Sequence, residues 1–280
     1  MKYRSKEFIT RWTCRILLLI WTVITLYPLF WNIMSSLRTN EEILANATAL
    51  PTGFEWGNYV RAFQNANMGS YFMNSVFVTI LALALHLLLV IPFAQALARF
   101  KFRGSRAIEI VLAGCLFLNG AYLIIPVFQL FHRLGWTDNL WALALLYAGS
   151  SVPFSTFLLA GYMRTISKTY FEAAKIDGCS DWGILLKIVI PMSKPGIITI
   201  SMLAIMNYWN EFMMAFVLIR SPENRTLNLG LANLFEVQQR ATDFGALYAA
   251  LIIMLIPTII IYLVGQKHLI GALNSGGIKE

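Results

Sequence analysis

Six long apolar runs limit this chain more than any other feature of its sequence. Each is about 20 residues or longer, the length of helix that crosses roughly 30 Å of hydrocarbon. They lie at residues 14–34, 71–96, 107–130, 140–161, 196–219 and 244–265. Only 13% of the 280 residues are charged, whereas soluble domains carry roughly 25%. The sequence therefore predicts an all-α membrane protein with six transmembrane helices in one domain, residues 1–280, and not a barrel of short alternating strands.

The positions of Lys and Arg predict that both termini are cytoplasmic. With that orientation, 16 of the 22 basic residues lie in segments expected inside, and the six outside are all arginines. A net charge of +8 also fits nucleic-acid binding. Here, however, the basic residues flank the apolar runs, so membrane topology explains them. We expect contact with membrane lipid and no nucleic-acid partner.

The polar segment between the fourth and fifth runs, about residues 169–190, has the pattern of a helix-turn-helix. Thr169, with a glutamate three residues later, fits a capping box at the start of its first helix. Gly178 is placed to end that helix in the left-handed conformation. Ser180 is expected to cap a second helix, and Pro191 is expected to stop it.

Two interpretations of this hairpin follow from the residues themselves. Ala173 and Ala174 leave one face of the first helix without bulk, so that another surface can approach its backbone closely. That surface is either the chain's own helical bundle or a second protein. Capping and periodicity alone favour neither interpretation.

The hairpin resembles the EAA motif of permease subunits in bacterial ABC importers. The residues that carry the resemblance are Glu172, Ala173, Ala174, Asp177, Gly178, Ile190, Pro191 and Pro195. The resemblance extends over the six runs and the Asn58-Tyr59 pair in the first outside loop. It is strongest to the carbohydrate-uptake branch, and within it to the smaller permease of maltose-type systems. The sequence departs mildly from the family pattern, in ways that remain compatible with a helix, a turn and a helix. The departures are Cys179 where alanine is usual, Ile190 where leucine is usual, Leu185 where a bulkier aromatic is common, and Ser167 where proline is common.

This resemblance implies a role for the hairpin and a set of partners. The hairpin would be the coupling helix, which sits in a cleft of an ATPase subunit and transmits its closure to the spans. The docking residues so implied are Glu172, Ala173, Ala174, Asp177, Gly178 and Pro191. The implied partners are a second homologous permease, an ATPase dimer and an extracytoplasmic solute-binding protein received by residues 38–63 and 220–240. The implied solute is a carbohydrate, and the implied location is the bacterial cytoplasmic membrane.

The sequence offers no source of energy within the chain. It has no G-x-x-x-x-G-K-[ST] phosphate loop and no chain of acids and histidines to relay protons. His86 is a lone histidine in the second run. We therefore expect a non-catalytic subunit with no cofactor or metal, and with ATP and Mg held by the partner ATPase.

Two polar patches within the apolar runs are candidates for the solute path. The candidate residues are Asn119, Tyr122, Asn207, Tyr208, Trp209, Asn210 and Glu211. In the fifth run, Asn207, Asn210 and Glu211 have helical spacing and are predicted to share a face. The aromatic pair between them is suited to stacking on sugar rings. The alternative role for this face is hydrogen bonding between helices.

Three other classes of protein remain open from the sequence. One is the same kind of importer for a non-sugar solute, although an anionic solute would require basic residues within the spans, and none lies near their middle. A second is an ion-coupled carrier that works alone. A third is a membrane enzyme, for which the sequence contains no metal cluster or nucleophile-base pair.

Overall fold

The computed structural model describes residues 2–65, 67–118, 120–232 and 243–276. The described residues form helices and connecting loops without a strand, which confirms the all-α prediction. The chain falls into two compact units. The first comprises residues 1–68 and 231–255, and the second comprises residues 69–230 and 256–280.

Twelve helices are labelled here in chain order. They are α1 (Lys2–Ser36), α2 (Asn40–Ala45), α3 (Gly57–Asn65), α4 (Met68–Arg99), α5 (Ser105–Cys115), α6 (Ile124–Arg133), α7 (Leu140–Thr165), α8 (Thr169–Ile176), α9 (Asp181–Met192), α10 (Lys194–Asn210), α11 (Met213–Leu218) and α12 (Phe244–Gly276). Single 3₁₀ turns occur at Gly120–Leu123 and Pro222–Asn224.

Within the described ranges, four helices are long and apolar enough to cross a membrane. They are Arg11–Ser36, Met68–Arg99, Leu140–Thr165 and Phe244–Gln266. Two bent pairs, α5 with α6 and α9 with α10, raise the number to six if each pair is one crossing. The structure thus supports four to six spans.

The third apolar run is not the continuous helix expected over residues 107–130. It is divided into α5 and α6, which are bent with respect to each other. Pro126 lies in the first turn of α6, where its missing N–H has no helical partner to lose. The break lies between Cys115 and Gly120, so Pro126 is compatible with α6 but does not cause the break; Pro92 and Pro153 likewise lie inside the unbroken helices α4 and α7.

The first unit contains a folded loop that Arg38 organises. Its guanidinium group donates hydrogen bonds to the carbonyl oxygens of Glu42 at 2.5 Å and Asn46 at 2.6 Å. The side chain is 1% exposed. A buried arginine requires such partners because its charge is costly to remove from water. The first long loop is therefore a fixed structure around a buried cation.

Asn58, noted above for its part in the family resemblance, has a structural role in the same unit. It is fully buried, and its Nδ2 atom donates to the carbonyl oxygens of Ser36 and Arg38, both at 2.8 Å. Its Oδ1 atom accepts a hydrogen bond from Arg61. Asn58 thereby ties α3 to the end of α1.

The second unit has two buried apolar clusters along α4 and α7. In one of them, Val90 of α4 and Leu159 of α7 pack with Ala174 of α8 and Ile184 of α9. Small residues along these helices, such as Ala94, permit the close approach typical of membrane bundles. The helix-turn-helix is therefore part of the packed unit and not a free loop.

Candidate functional site

The predicted helix-turn-helix is present as α8 and α9. Gly178 follows α8 with φ +78°, the left-handed conformation that favours glycine. Ser180 caps α9 by accepting a hydrogen bond at 3.1 Å from the backbone N–H of Gly183. Lys175 and Asp181 approach within 3.5 Å across the turn, but both are exposed, so their attraction contributes little. Both signals that predicted the turn are confirmed.

Two details of the predicted hairpin are wrong. Thr169 is the first residue of α8 and not its cap, and the cap position, Lys168, makes no side-chain hydrogen bond. Pro191 does not stop the second helix, because α9 continues to Met192. A π-helical turn at Leu185–Val189 directly precedes the last α-helical turn. Pro191 lies at the start of that turn, where its missing N–H costs little.

The EAA-like residues divide between two faces of the hairpin. Ala174 is 6% exposed and faces the bundle, whereas Ala173, Asp177 and Gly178 are exposed. Ile176, beside them on α8, is 86% exposed. A single exposed apolar side chain is ordinary on a protein surface, so the position of Ile176 among exposed motif residues is what makes this surface a docking candidate. We call the exposed residues Ala173, Ile176, Asp177 and Gly178 the hairpin face.

The remaining members of the motif lie beside the hairpin face. Glu172 is exposed and lines a cavity of about 400 Å³ between the hairpin and the end of α4. Trp182 of α9, which is 67% exposed, lines the same cavity. Pro191 is exposed at the end of α9. The structure thus brings Glu172 close to the hairpin face, and the docking role of all these residues stays a prediction.

A second cavity, of about 690 Å³, lies among α6, α7 and α10. Its polar lining comes from side chains of α7 and of the end of α10. These are Tyr147, Ser150, Asn207, Tyr208 and Glu211. Among the residues that the structure describes, none of those lining the cavity is Lys, Arg or His.

Glu211 lies in a break of the fifth run and not on a continuing helix. The chain is extended there, with φ −69° and ψ 133°, between α10 and α11. The Oε1 atom of Glu211 accepts from the N–H of Met214 at 2.7 Å, and Oε2 accepts from the N–H of Ala215 at 3.2 Å. These bonds satisfy N–H groups that begin α11. The prediction that Glu211 shares a helical face with Asn207 and Asn210 is therefore wrong.

The other predicted pathway residues do not lie together. Trp209 is 5% exposed and packs edge-on against Phe72, with ring centroids 5.6 Å apart. Asn210 and Tyr122 are exposed, and neither lines the cavity. Asn119 lies outside the described residues. Asn207, Tyr208 and Glu211 are thus the predicted residues that the structure brings to one cavity.

Tyr147, like Ser150, lines this cavity but is not among the residues that the sequence predicted. Its hydroxyl donates a hydrogen bond of 2.5 Å to Oε2 of Glu211, and its ring stacks on Tyr208 with centroids 5.8 Å apart. It lies within the fourth apolar run, where Ser150 and Ser151 follow it at helical spacing. A local pattern gives no signal of a partner 64 positions away.

The second cavity can therefore offer hydroxyl, amide and aromatic groups, with Glu211 held by three hydrogen-bond donors. Hydroxyl-rich solutes suit such a lining. Within the described part of the chain, no group of three His, Cys, Asp or Glu residues is arranged to hold a metal ion. The arrangement thus offers hydrogen-bonding groups to a solute, and its one carboxyl group is that of Glu211.

Residues 49–274 match the model of the family described as binding-protein-dependent transport system inner membrane component. Because the match covers most of the chain, this protein belongs to that family of membrane transport subunits.

Curated relatives are similar over nearly the whole chain. The diacetylchitobiose uptake system permease NgcG of Streptomyces coelicolor is 34% identical over 94% of this chain and 87% of its own length. The galactooligosaccharide transport system permease GanQ of Bacillus subtilis is 29% identical over 94% of each chain.

Solved structures share the fold. A chain from a bacterial ABC transporter involved in import of the acidic polysaccharide alginate is 26% identical, with a TM-score of 0.81 over 94% of this chain and 97% of that chain. A chain from an alginate ABC transporter in complex with an alginate pentasaccharide-bound periplasmic protein has a TM-score of 0.68 at 15% identity, covering 93% of this chain and 94% of that chain. The latter likeness concerns the fold alone.

Proposed function

We propose that this chain is the membrane-spanning subunit of an ATP-driven, binding-protein-dependent importer that carries an oligosaccharide across the bacterial cytoplasmic membrane. The family match and the carbohydrate systems named for its relatives support the class of transporter and of solute. In this proposal the two bent helix pairs are single crossings, which gives six spans with both termini in the cytoplasm. The chain holds no ATP itself, and a partner ATPase hydrolyses it.

The observation that carries the proposal is the division of the hairpin into two faces. The hairpin face, with Asp177 and Gly178, is open to a partner, while Ala174 and Ile184 are buried in the bundle. A movement imposed on the open face must therefore shift residues packed against α4 and α7. In the proposed cycle, ATP binding closes the ATPase dimer, the hairpin moves with it, and the spans switch from inward-open to outward-open to receive solute from the binding protein.

The second cavity supports a neutral solute over an acidic one. Its lining, as far as the structure describes it, has one carboxylate, Glu211, and no cationic side chain. An acidic sugar would be repelled by Glu211 and would find no positive partner, whereas a neutral sugar would find hydroxyl and aromatic groups. We therefore propose a neutral oligosaccharide, in contrast to the alginate named for the structural neighbour.

Co-purification followed by reconstitution tests this proposal. An affinity-tagged chain is extracted in mild detergent, and the proteins that accompany it are identified. We expect a second permease and an ATPase, and we expect ATP-dependent oligosaccharide uptake by the complex in proteoliposomes containing the binding protein. Uptake driven by an ion gradient with this chain alone would overturn the proposal in favour of a self-sufficient carrier.

A further inference from the structure

Arg99, the last residue of α4, is bonded to the end of α7. Its Nη2 atom donates hydrogen bonds to the carbonyl oxygens of Met163 and Ile166, both at 2.6 Å. Ile166 follows the last residue of α7. Carbonyl groups at a helix C-terminus lack intrahelical partners and carry partial negative charge, so a guanidinium group stabilises them. One side chain thereby fixes the ends of two long helices to each other.

The same guanidinium group also touches the hairpin. Its central carbon lies 4.1 Å from the centroid of the Phe171 ring in α8. This is the geometry of a cation–π contact. Phe171 directly precedes Glu172 and also packs against the buried cluster that contains Ala174. Arg99 is therefore in contact with α7 and α8 at once.

We propose that Arg99 is a positioning residue that transmits movement of the hairpin to α4 and α7, an inference that rests on the proposed function. The apolar contacts of Ala174 and Ile184 hold the hairpin on the bundle but are non-directional. Arg99 adds direction, because its Nη2 atom is oriented by two carbonyl groups while its central carbon lies over the ring of Phe171.

The path from the hairpin continues to the second cavity through α7. Met163, which accepts a hydrogen bond from Arg99, and Tyr147, which lines the cavity, lie on this one helix. A displacement of Phe171 acts on Arg99, and Arg99 pulls or releases the C-terminal end of α7. α7 runs over Leu140–Thr165 with Pro153 inside it, and Pro153 itself lines the second cavity, so a displacement of the C-terminal end of α7 reaches the cavity wall at that proline.

Two substitutions separate this role from simple capping of α7. Arg99→Met removes the carbonyl bonds and the ring contact together. Phe171→Leu removes the ring but leaves an apolar side chain and both carbonyl bonds of Arg99. Arg164→Met is the matched control, because Arg164 is a half-exposed arginine of α7 that pairs with Glu109 and donates to the carbonyl oxygen of Leu97 in α4. It thus also joins α7 to α4, but its contacts in the described part of the chain do not include α8.

The experiment measures ATP hydrolysed and oligosaccharide transported by the reconstituted complex of each variant. We expect both test variants to retain ATP hydrolysis and to transport about two- to tenfold less solute per ATP, the equivalent of one such contact. The double variant should lose no more than Arg99→Met alone, since both changes break the same link. Arg164→Met should couple as the unsubstituted chain does. If Arg99→Met fails to assemble with the ATPase, Phe171→Leu alone carries the comparison.

Normal transport per ATP in Phe171→Leu would overturn the inference and leave Arg99 as a cap of α7 only. Independent, additive losses in the double variant, or an equal loss in Arg164→Met, would also overturn it. Absence of ATP-dependent uptake by the complex of the unsubstituted chain is a different result, because it would contradict the proposed function itself.

Discussion

The hydroxyl of Tyr147 donates a 2.5 Å hydrogen bond to Glu211, and this bond joins α7 to the break between α10 and α11. The same carboxylate accepts the N–H groups of Met214 and Ala215. Glu211 therefore fixes the backbone conformation between α10 and α11, and it also lines the second cavity. Glu211, a polar residue inside an apolar run, thus has a structural partner in Tyr147 and is also accessible from the cavity.

Glu211→Gln keeps the size of the side chain but removes its charge. Hydrogen bonds to a charged group contribute about 1.5–3 kcal/mol, so we expect uptake by the complex to fall about tenfold or more. The measurement is initial uptake rate at several oligosaccharide concentrations. Ser201→Ala is the control, because Ser201 is a polar residue of α10 that bonds its own helix at Ile197 and does not line the cavity. Equal uptake by Glu211→Gln and the unsubstituted chain would remove Glu211 from the solute path.

Asp138 joins the loop between α6 and α7 to the chain beyond α11. Its Oδ1 atom accepts from the N–H of Arg220 and Ser221 at 3.0 Å and from the Ser221 hydroxyl at 2.9 Å. Partial burial raises the pKa of Asp138, but hydrogen bonds from the Ser221 hydroxyl and from these N–H groups outweigh it, so the pKa lies below its usual value near 3.8. The ionised form is thus the one that the fold stabilises.

This lowered pKa sets the direction of a pH effect. The stabilisation is fully present above the pKa of an unfolded aspartate, about 4, and is lost as pH falls through the lower pKa of the folded protein. At pH 7 we expect the melting temperature of Asp138→Asn to lie roughly 2–4 °C below that of the unsubstituted chain. Below about pH 4 we expect the two melting temperatures to approach each other. A difference that grows as the pH falls would contradict the assignment.

Gly245, at the start of α12, faces Asn58 in the first unit. A Cβ atom at Gly245 would lie 2.5 Å from Oδ1 of Asn58. Alanine usually stabilises a helix by about 1 kcal/mol relative to glycine, but here the clash displaces a fully buried, hydrogen-bonded amide, which costs about 1–3 kcal/mol. We therefore expect Gly245→Ala to lower thermal stability in detergent. Gly53→Ala is the control, since no atom lies within 4 Å of its Cβ position. A melting temperature that falls in Gly53→Ala but not in Gly245→Ala would contradict the predicted clash with Asn58.

Features that depend on neighbouring residues could be predicted from the sequence. Gly178 and Ser180 act within a few positions of their partners, and both were placed correctly. The apolar runs likewise gave the helical class, because membrane length sets a lower limit on each run. Pro191 was assigned the wrong effect, since a local rule for proline does not foresee a preceding π-helical turn.

Features that depend on tertiary contacts could not be predicted. Glu211 leaves the helical pattern because its carboxylate is bound by Tyr147 from another helix. Arg99 is one of the 16 basic residues that the predicted topology places inside, and nothing in the local pattern shows that it bonds the end of α7 and contacts Phe171. The sequence predicts that Ala173 and Ala174 form one small face. Only the packing of the bundle shows that Ala174 is buried while Ala173 is exposed.

The central claim is that the hairpin face transmits force from a partner, and Gly178→Asp tests it most directly. Gly178 has φ +78° and no atom within 4 Å of a Cβ position, so a Cβ atom meets no clash there, and the strain of an L side chain at positive φ is shared by the control below. Gly104→Asp is the matched control, because Gly104 has φ +93° and equally open surroundings but lies outside the hairpin. The measurement is ATP hydrolysis and oligosaccharide uptake by the reconstituted complex. We expect Gly178→Asp to keep hydrolysis and lose uptake while Gly104→Asp keeps both, and normal uptake by Gly178→Asp would contradict the coupling role.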